Sequence, residues 1–249
     1  MKKQSKAGKV YLIGAGPGDP ELLTIKAQRL ISEADVVLYD RLVNKEIVNH
    51  AGKDAELVYV GKESDCHVKT QDEINDLLVK YAKEGNTVAR LKGGDPYLFG
   101  RGGEEAQYLI ENKISVEVVP GITSAISVPA YAGIPVTHRD HTSIFIAVTG
   151  HEDPNKSENI EWEKLAPFKS TIVVLMGVSN LEKIASKLLE GGKDPKTPVA
   201  LIEQGTTKKQ RITKGVLENI SEVAKKKGVK PPAITVIGGV VELSDQLMK

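Results

Sequence analysis

The sequence predicts an α/β protein of two domains. Strand-like and helix-like hydrophobic patterns alternate along the chain, and several strand patterns run straight into glycine-rich turns. The length of 249 residues also exceeds one domain on a soft prior of ~150 residues each.

In chain order, residues 9–13 form a short strand pattern that enters Gly14-Ala15-Gly16-Pro17-Gly18-Asp19-Pro20. Leu23, Ala27, Leu30, Ile31 and Ala34 then fall on one helical face, and Val36-Val37-Leu38-Tyr39 reads as a buried strand ending at Asp40-Arg41. Residues 57–60 are the next strand pattern, closed by Gly61-Lys62, and the polar residues 63–69 read as a loop. Thr70-Gln71-Asp72-Glu73 has the form of a capping box, opening a helix with Ile74, Leu77, Leu78 and Tyr81 on one face and Gly85 at its end. A strand at 87–90, a helix at 104–112 and a strand at 114–119 complete the first domain. Pro120-Gly121-Ile122-Thr123-Ser124-Ala125 reads as a hinge. The second series is strand 144–148, strand 171–176, helix 180–189, strand 199–202, helix 216–226 and strand 233–237, with no visible sequence repeat between the halves.

Composition narrows the function classes. Hydrophobic residues make up 40% and charged residues 27%, which supplies an ordinary globular core. Lys+Arg 34 against Asp+Glu 33 leaves a net charge of +1, so no global field recruits nucleic acid or an anionic membrane. The single cysteine, Cys66, excludes an internal disulfide and fits a reducing compartment. The basic start is followed by no signal-peptide core, and no apolar run approaches the ~18 residues of a membrane span, so a cytoplasmic protein is expected.

The chemistry concentrates in Leu91-Lys92-Gly93-Gly94-Asp95-Pro96-Tyr97-Leu98-Phe99-Gly100-Arg101-Gly102-Gly103-Glu104-Glu105, directly after a strand. Gly93-Gly94-Asp95-Pro96 reads as a tight turn where glycine permits positive φ and lets backbone amides approach a ligand. In open α/β sheets that end of a strand is where ligands bind. The first turn does not offer a dinucleotide site. A G-x-G-x-x-G run from Gly14 would need glycine where Asp19 stands, and Pro17 and Pro20 lack the amides a pyrophosphate would use. Histidines 138 and 141 are spaced H-x-x-H, with His151, His67 and Cys66 elsewhere, but without a second cysteine they do not match a structural zinc site, and no metal is expected.

Four stretches together resemble the tetrapyrrole methylase superfamily: residues 10–24, residues 91–100, Val119-Pro120-Gly121-Ile122-Thr123-Ser124-Ala125 and Leu175-Met176-Gly177. Tyr39-Asp40-Arg41-Leu42-Val43, Phe99-Gly100-Arg101-Gly102-Gly103-Glu104-Glu105 and Thr137-His138-Arg139-Asp140 are similar to the branch that methylates uroporphyrinogen III. The resemblance runs from about Lys9 to Leu243. It implies two α/β domains, 9–120 and 121–245, each a mixed sheet of about five strands flanked by helices, with the active-site cleft between them, and a homodimer. It also implies S-adenosyl-L-methionine as methyl donor, released as S-adenosyl-L-homocysteine. The implied reaction methylates uroporphyrinogen III at C2 and C7, giving precorrin-2 by way of precorrin-1 for sirohaem or cobalamin.

Carried over position by position, the family's cofactor residues fall on Pro17, Gly93, Gly94, Asp95, Leu98, Thr123, Ser124, Met176, Gly205 and Ala233. Small residues there expose backbone polar groups, and Asp95 can accept from a cofactor hydroxyl or amino group. Leu98 and Met176 read equally as plain core. Ser124 stands where many members have alanine. Asp40 and Lys62 occupy the positions assigned as proton acceptor and proton donor. On the residues alone, Asp40 also suits a ribose hydroxyl and Lys62 a surface charge. A substrate with eight carboxylates calls for local cations, and Arg41, Arg101 and Arg139 are the candidates, with His138 as a further hydrogen-bonding partner. Glu104 either acts beside Arg101, orienting it or moving a proton, or starts a helix where an acid suits the dipole.

Overall fold

The computed structural model describes residues 8–61, 69–151 and 160–248. The chain divides into two compact units, Met1–Thr123 and Ser124–Lys249.

The first unit runs β1 (Lys9–Gly14), α1 (Ile25–Ser32), β2 (Val36–Tyr39), α2 (Lys45–Val48), β3 (Glu56–Tyr59), α3 (Gln71–Lys83), β4 (Val88–Lys92), α4 (Gly102–Glu111) and β5 (Ser115–Val119). The strand order is β3-β2-β4-β1-β5, and every pairing is parallel. Side chains alternate across each strand. Val10, Leu12, Val36, Leu38 and Val88 therefore meet Ile74, Leu78, Ala106 and Leu109 of α3 and α4 on one face. On the other face Ile13, Val37, Ala89 and Leu91 meet Ala27, Leu30 and Ile31 of α1 and Ile47 of α2. Sheets covered on both faces are where parallel pairing occurs. The capping box read at Thr70 is formed: Thr70 Oγ1 accepts from Glu73 N while Glu73 accepts from Thr70 N.

The second unit runs α5 (Ser124–Tyr131), β6 (Phe145–Thr149), α6 (Trp162–Leu165), β7 (Thr171–Leu175), α7 (Leu181–Glu190), β8 (Pro198–Glu203), β9 (Arg211–Val216), α8 (Ile220–Lys227), β10 (Ala233–Ile237) and α9 (Ser244–Leu247). Its order is β6-β7-β10-β8-β9, with β6 and β7 parallel and the other pairings antiparallel. The mixed sheet expected of both units is thus the pattern of the second, while the first is parallel throughout. Ile172, Val174, Val199, Leu201 and Ile237 pack against Trp162, Leu181, Ile184, Leu188 and Ile220 of α6, α7 and α8.

Two readings are corrected here. The residues taken for the start of a helix at 216 end β9, an edge strand, and α8 begins only at Ile220. The stretch read as a hinge enters a helix at Ser124, which carries Pro129 inside it.

Candidate functional site

Because all five strands of the first unit are parallel, the turns that follow them share one edge of the sheet. Pro17 follows β1, Asp40 and Arg41 follow β2, Gly93, Gly94, Asp95 and Leu98 follow β4, and Thr123 follows β5. Lys62 follows β3 but lies outside the described residues, as do Cys66 and His67. The chain leaves β1 toward β2 and leaves β4 toward β5 in the opposite direction, so the switch point of the sheet lies between β1 and β4. There the two turns are joined: Gly94 N donates to Gly16 O at 2.7 Å, Gly16 N to Gly94 O at 3.1 Å, and Ala15 N to Lys92 O at 2.8 Å. Those amides are therefore occupied, and Pro17 and Pro20 have none to offer a phosphate.

Asp40 sits on this edge after β2, beside the glycine turn's strand β4, with its side chain 29% exposed. Its Oδ1 accepts from Leu42 N at 3.0 Å, and its Oδ2 lies 3.6 Å from Arg90 Nη2. Arg90 is buried, and so are Lys92 and Glu105. Glu105 Oε1 accepts from Lys92 Nζ at 2.6 Å and from Gln71 Nε2 at 3.1 Å, and lies 3.5 Å from Arg90 Nε. β4 explains this placement. Val88, Arg90 and Lys92 share one face, so a strand covered on both sides takes two cations inside, and α4 answers with Glu105. Burial, reinforced by the charge of Arg90, pushes the Lys92 ammonium below the usual lysine range, and the Coulombic pull and hydrogen bond of Glu105 oppose it.

Arg101 and Glu104 open α4. Arg101 Nε donates to both oxygens of Glu104 at 3.1 Å, and Nη2 donates to Oε2 at 2.6 Å. Both side chains are more than half exposed, at 56% and 55%. Phe99 and Arg101 hold φ of 54° and 58°, a left-handed conformation uncommon in non-glycine residues. Arg41 is exposed.

In the second unit Met176 follows β7, Gly205 follows β8 and Ala233 begins β10. Register brings them to one edge: Ile234 lies opposite Leu175, and Ala233 opposite Glu203. Met176, Gln204 and Thr206 hold φ of 55°, 49° and 62° there. For β-branched Thr206 this is a true outlier, and such strain concentrates at functional sites. Met176 is 52% exposed, so it is not the core residue its apolar character allowed. Gly205 has a packing reason to be glycine: a Cβ there would collide with the Val128 side chain of α5. Ser124 starts α5.

His138 and Arg139 are not brought to that edge. Their turn, closed by the His138–Thr142 bridge, precedes β6, and Thr142 Oγ1 donates to Lys169 O just before β7. β6 and β7 are parallel, so this is the opposite end of the sheet, ~15 Å from Met176 by strand rise. His138 Nδ1 accepts from Asp140 N at 3.2 Å, and Arg139 is exposed. The sequence reading also missed Arg90, Lys92, Glu105 and Gln71. The available signal was two cations inside an otherwise apolar strand of a sheet covered on both faces.

These features define a class: an α/β protein whose strand-end turns meet along one edge of a parallel sheet, with a carboxylate there backed by buried ions. Comparison with known proteins agrees. The sequence model of the tetrapyrrole (corrin/porphyrin) methylases matches residues 9–221. The S-adenosyl-L-methionine-dependent uroporphyrinogen III methyltransferase of Methanosarcina barkeri is 59% identical over 241 residues, 96% of this chain and 94% of that protein. The uroporphyrinogen-III C-methyltransferase of Methanocaldococcus jannaschii is 56% identical over 240 residues, covering 96% and 98%. The crystal structure of the Thermus thermophilus uroporphyrin-III C-methyltransferase, complexed with S-adenyl homocysteine, superposes with a TM-score of 0.81 at 44% identity, covering 95% of this chain and 94% of that one. The chain belongs to the tetrapyrrole methylase family.

Proposed function

We propose that this chain is an S-adenosyl-L-methionine-dependent uroporphyrinogen III C-methyltransferase, acting at C2 and C7 to give precorrin-2 by way of precorrin-1. The observation that carries the reading is the edge of the first sheet, where Asp40 and the glycine turn stand together in a chain 59% identical to a uroporphyrinogen III methyltransferase. S-adenosyl-L-methionine supplies an electrophilic methyl group whose leaving group is neutral, so no metal is required.

The protein's own work is alignment, exclusion of water and movement of one proton per methylation. We assign cofactor binding to Pro17, Gly93, Gly94, Asp95, Leu98, Thr123, Ser124, Met176, Gly205 and Ala233. Asp40 accepts the proton that leaves the ring system after each new carbon–methyl bond, and Lys62 is assigned as proton donor. In Asp40, Leu42 N fixes Oδ1, and Arg90 stands beside Oδ2, which leaves that oxygen as the working one. General base catalysis of this kind contributes ~10²–10⁴-fold. Arg101 and Arg41 receive substrate carboxylates, and Glu104 holds the Arg101 guanidinium in line until one arrives. His138 and Arg139 are assigned to substrate carboxylates too, from the opposite end of their own sheet to Met176.

Among the described residues no helix is long and apolar enough to cross a membrane. A cytoplasmic homodimer making precursor for sirohaem or cobalamin completes the proposal. The test is product mass after anaerobic incubation with uroporphyrinogen III and S-adenosyl-L-methionine. A gain of two methyl groups is expected; no gain, with S-adenosyl-L-homocysteine still bound, would point to another methyl acceptor.

A further inference from the structure

Asp95 is the carboxylate of the glycine turn, and backbone amides of its own unit surround it. Oδ1 accepts from Tyr97 N at 2.8 Å and Leu98 N at 3.1 Å, and Oδ2 accepts from Gly121 N at 3.0 Å. The last bond crosses the sheet. Asp95 follows β4, Gly121 follows β5, and β1 lies between those strands. The carboxylate therefore reaches over the end of β1, at Gly14. Glycine makes that reach possible: a Cβ on Gly14 would fall 2.5 Å from Gly121 Cα and 2.7 Å from Gly94 O. A Cβ on Gly121 would fall 2.6 Å from Gly14 Cα. Three turns from three strands are drawn to within backbone contact, and one side chain ties two of them.

An ionised carboxylate has about four acceptor positions, and three are filled here by main-chain donors. Each is a charge-assisted bond, roughly twice as strong as a neutral one. The turn they hold is strained, with φ of 54° at Phe99 and 58° at Arg101. A strained turn persists only where its surroundings over-determine it.

We propose that Asp95 is a positioning residue. Its carboxylate locks the turn carrying Gly93, Gly94 and Leu98 onto the turn leading to Thr123, and it acts on the cofactor through that backbone and not by a hydrogen bond of its own. The inference rests on the cofactor reading above. Asp95→Asn tests it, because the amide keeps one oxygen for Tyr97 and Leu98 but turns an N–H₂ toward Gly121 N–H.

The experiment compares wild type and Asp95→Asn in calorimetric binding of S-adenosyl-L-homocysteine and of its 2′-deoxy, 3′-deoxy and desamino analogues. Backbone amide exchange at Gly121 is measured alongside on the ligand-free proteins. A pin predicts that the substitution weakens every ligand by the same factor, ~10-fold or more, the loss expected when a bond to a charged group goes. It also predicts that Gly121 N–H exchanges slowly in the wild type and fast in the variant. A loss seen with S-adenosyl-L-homocysteine but absent with one analogue would identify a direct contact to the missing group and overturn the proposal. Fast exchange at Gly121 in the wild type would overturn it as well, whether or not the variant folds. If the wild type binds none of these ligands, the cofactor reading fails and takes the positioning role with it, while slow Gly121 exchange would still distinguish that failure from the absence of the pin.

Discussion

Lys92 Nζ stands 2.6 Å from Glu105 Oε1, with side chains only 5% and 0% exposed, so the strand before the glycine turn and the helix after it are joined by a buried ion pair. Arg90 adds a second buried cation beside the same carboxylate. Removing one partner of such a pair leaves charge uncompensated in a dry interior, which is strongly destabilising. Glu105→Gln should lower unfolding stability by ~3–5 kcal/mol. The double variant Lys92→Met/Glu105→Leu removes that pair, leaves Arg90 with Asp40 alone as counter-charge, and should recover part of that loss. Urea denaturation of the three proteins checks this. Equal losses in the single and double variants would show that packing, not charge, sets the cost.

Acid stability has a source on β5. Glu117 on β5 is paired with Lys26 of α1 and Lys9 of β1. The hydrogen bond from Lys26, followed by that from Lys9, holds its carboxyl down to about 2, against an ordinary 4.5. A depressed carboxylate stabilises the native state fully above its unfolded value, and the contribution disappears as pH falls through the folded value. Wild type should therefore exceed Glu117→Gln in urea midpoint by a constant margin above pH ~5, with the margin closing toward pH ~2. Because Glu117 is one-third exposed, 1 M salt should shrink the margin at neutral pH. A margin independent of pH would exclude the ion pairs as its cause.

The sequence made the first unit legible because its signals were local. Buried strands such as 36–39 are short apolar runs, and α3 announces itself by a capping box and a one-sided face. The misses have physical causes. Ile212 and Val216 of β9 and Ile220 of α8 are four apart, a helical spacing that runs across the boundary, and Lys214 and Gly215 blur the strand pattern on an edge that charge protects. In α5, Pro129 and two β-branched residues hide a helix that tertiary packing imposes. At the site, glycines and motif residues were readable one by one, whereas the Glu105 cluster joins residues 34 positions apart and needed the fold to appear.

Met176 holds a strained conformation at a position assigned to the cofactor. At φ 55° it occupies a conformation that disfavours any side chain, and more than half of it is exposed. Met176→Gly removes the steric penalty of ~1–2 kcal/mol and adds the backbone entropy of glycine, ~0.5–1 kcal/mol. The variant should thus be more stable by ~0.5–1 kcal/mol, the difference of the two, while binding S-adenosyl-L-homocysteine less tightly. Thermal unfolding paired with calorimetry reads both. A gain in stability with unchanged binding would remove Met176 from the cofactor residues.

Arg101 separates the two ligands. Its guanidinium is exposed and held by Glu104, a pairing that contributes ~1 kcal/mol or less to the fold. Arg101→Ala should therefore leave the protein folded, raise KM for the tetrapyrrole ~10-fold or more, and leave S-adenosyl-L-homocysteine binding within ~2-fold, if the fork serves substrate carboxylates as proposed. Parallel losses in both ligands would indicate a disturbed turn at Phe99–Arg101 instead.

Asp40 is the sharpest test of the chemistry. Asparagine at this position can still accept from Leu42 N through its oxygen, so the turn after β2 keeps its hydrogen bond. What disappears is the negative charge opposite Arg90 and the ability to take a proton. Asp40→Asn should lower turnover by ~10²–10⁴-fold with S-adenosyl-L-homocysteine affinity unchanged. Arg90 would keep Glu105 as its counter-charge, so the stability loss should be smaller than that of Glu105→Gln. If Asp40 instead held a cofactor hydroxyl, affinity would fall while turnover at saturation survived. Wild-type turnover with wild-type affinity would remove Asp40 from both roles and pass the proton to another group on the same edge.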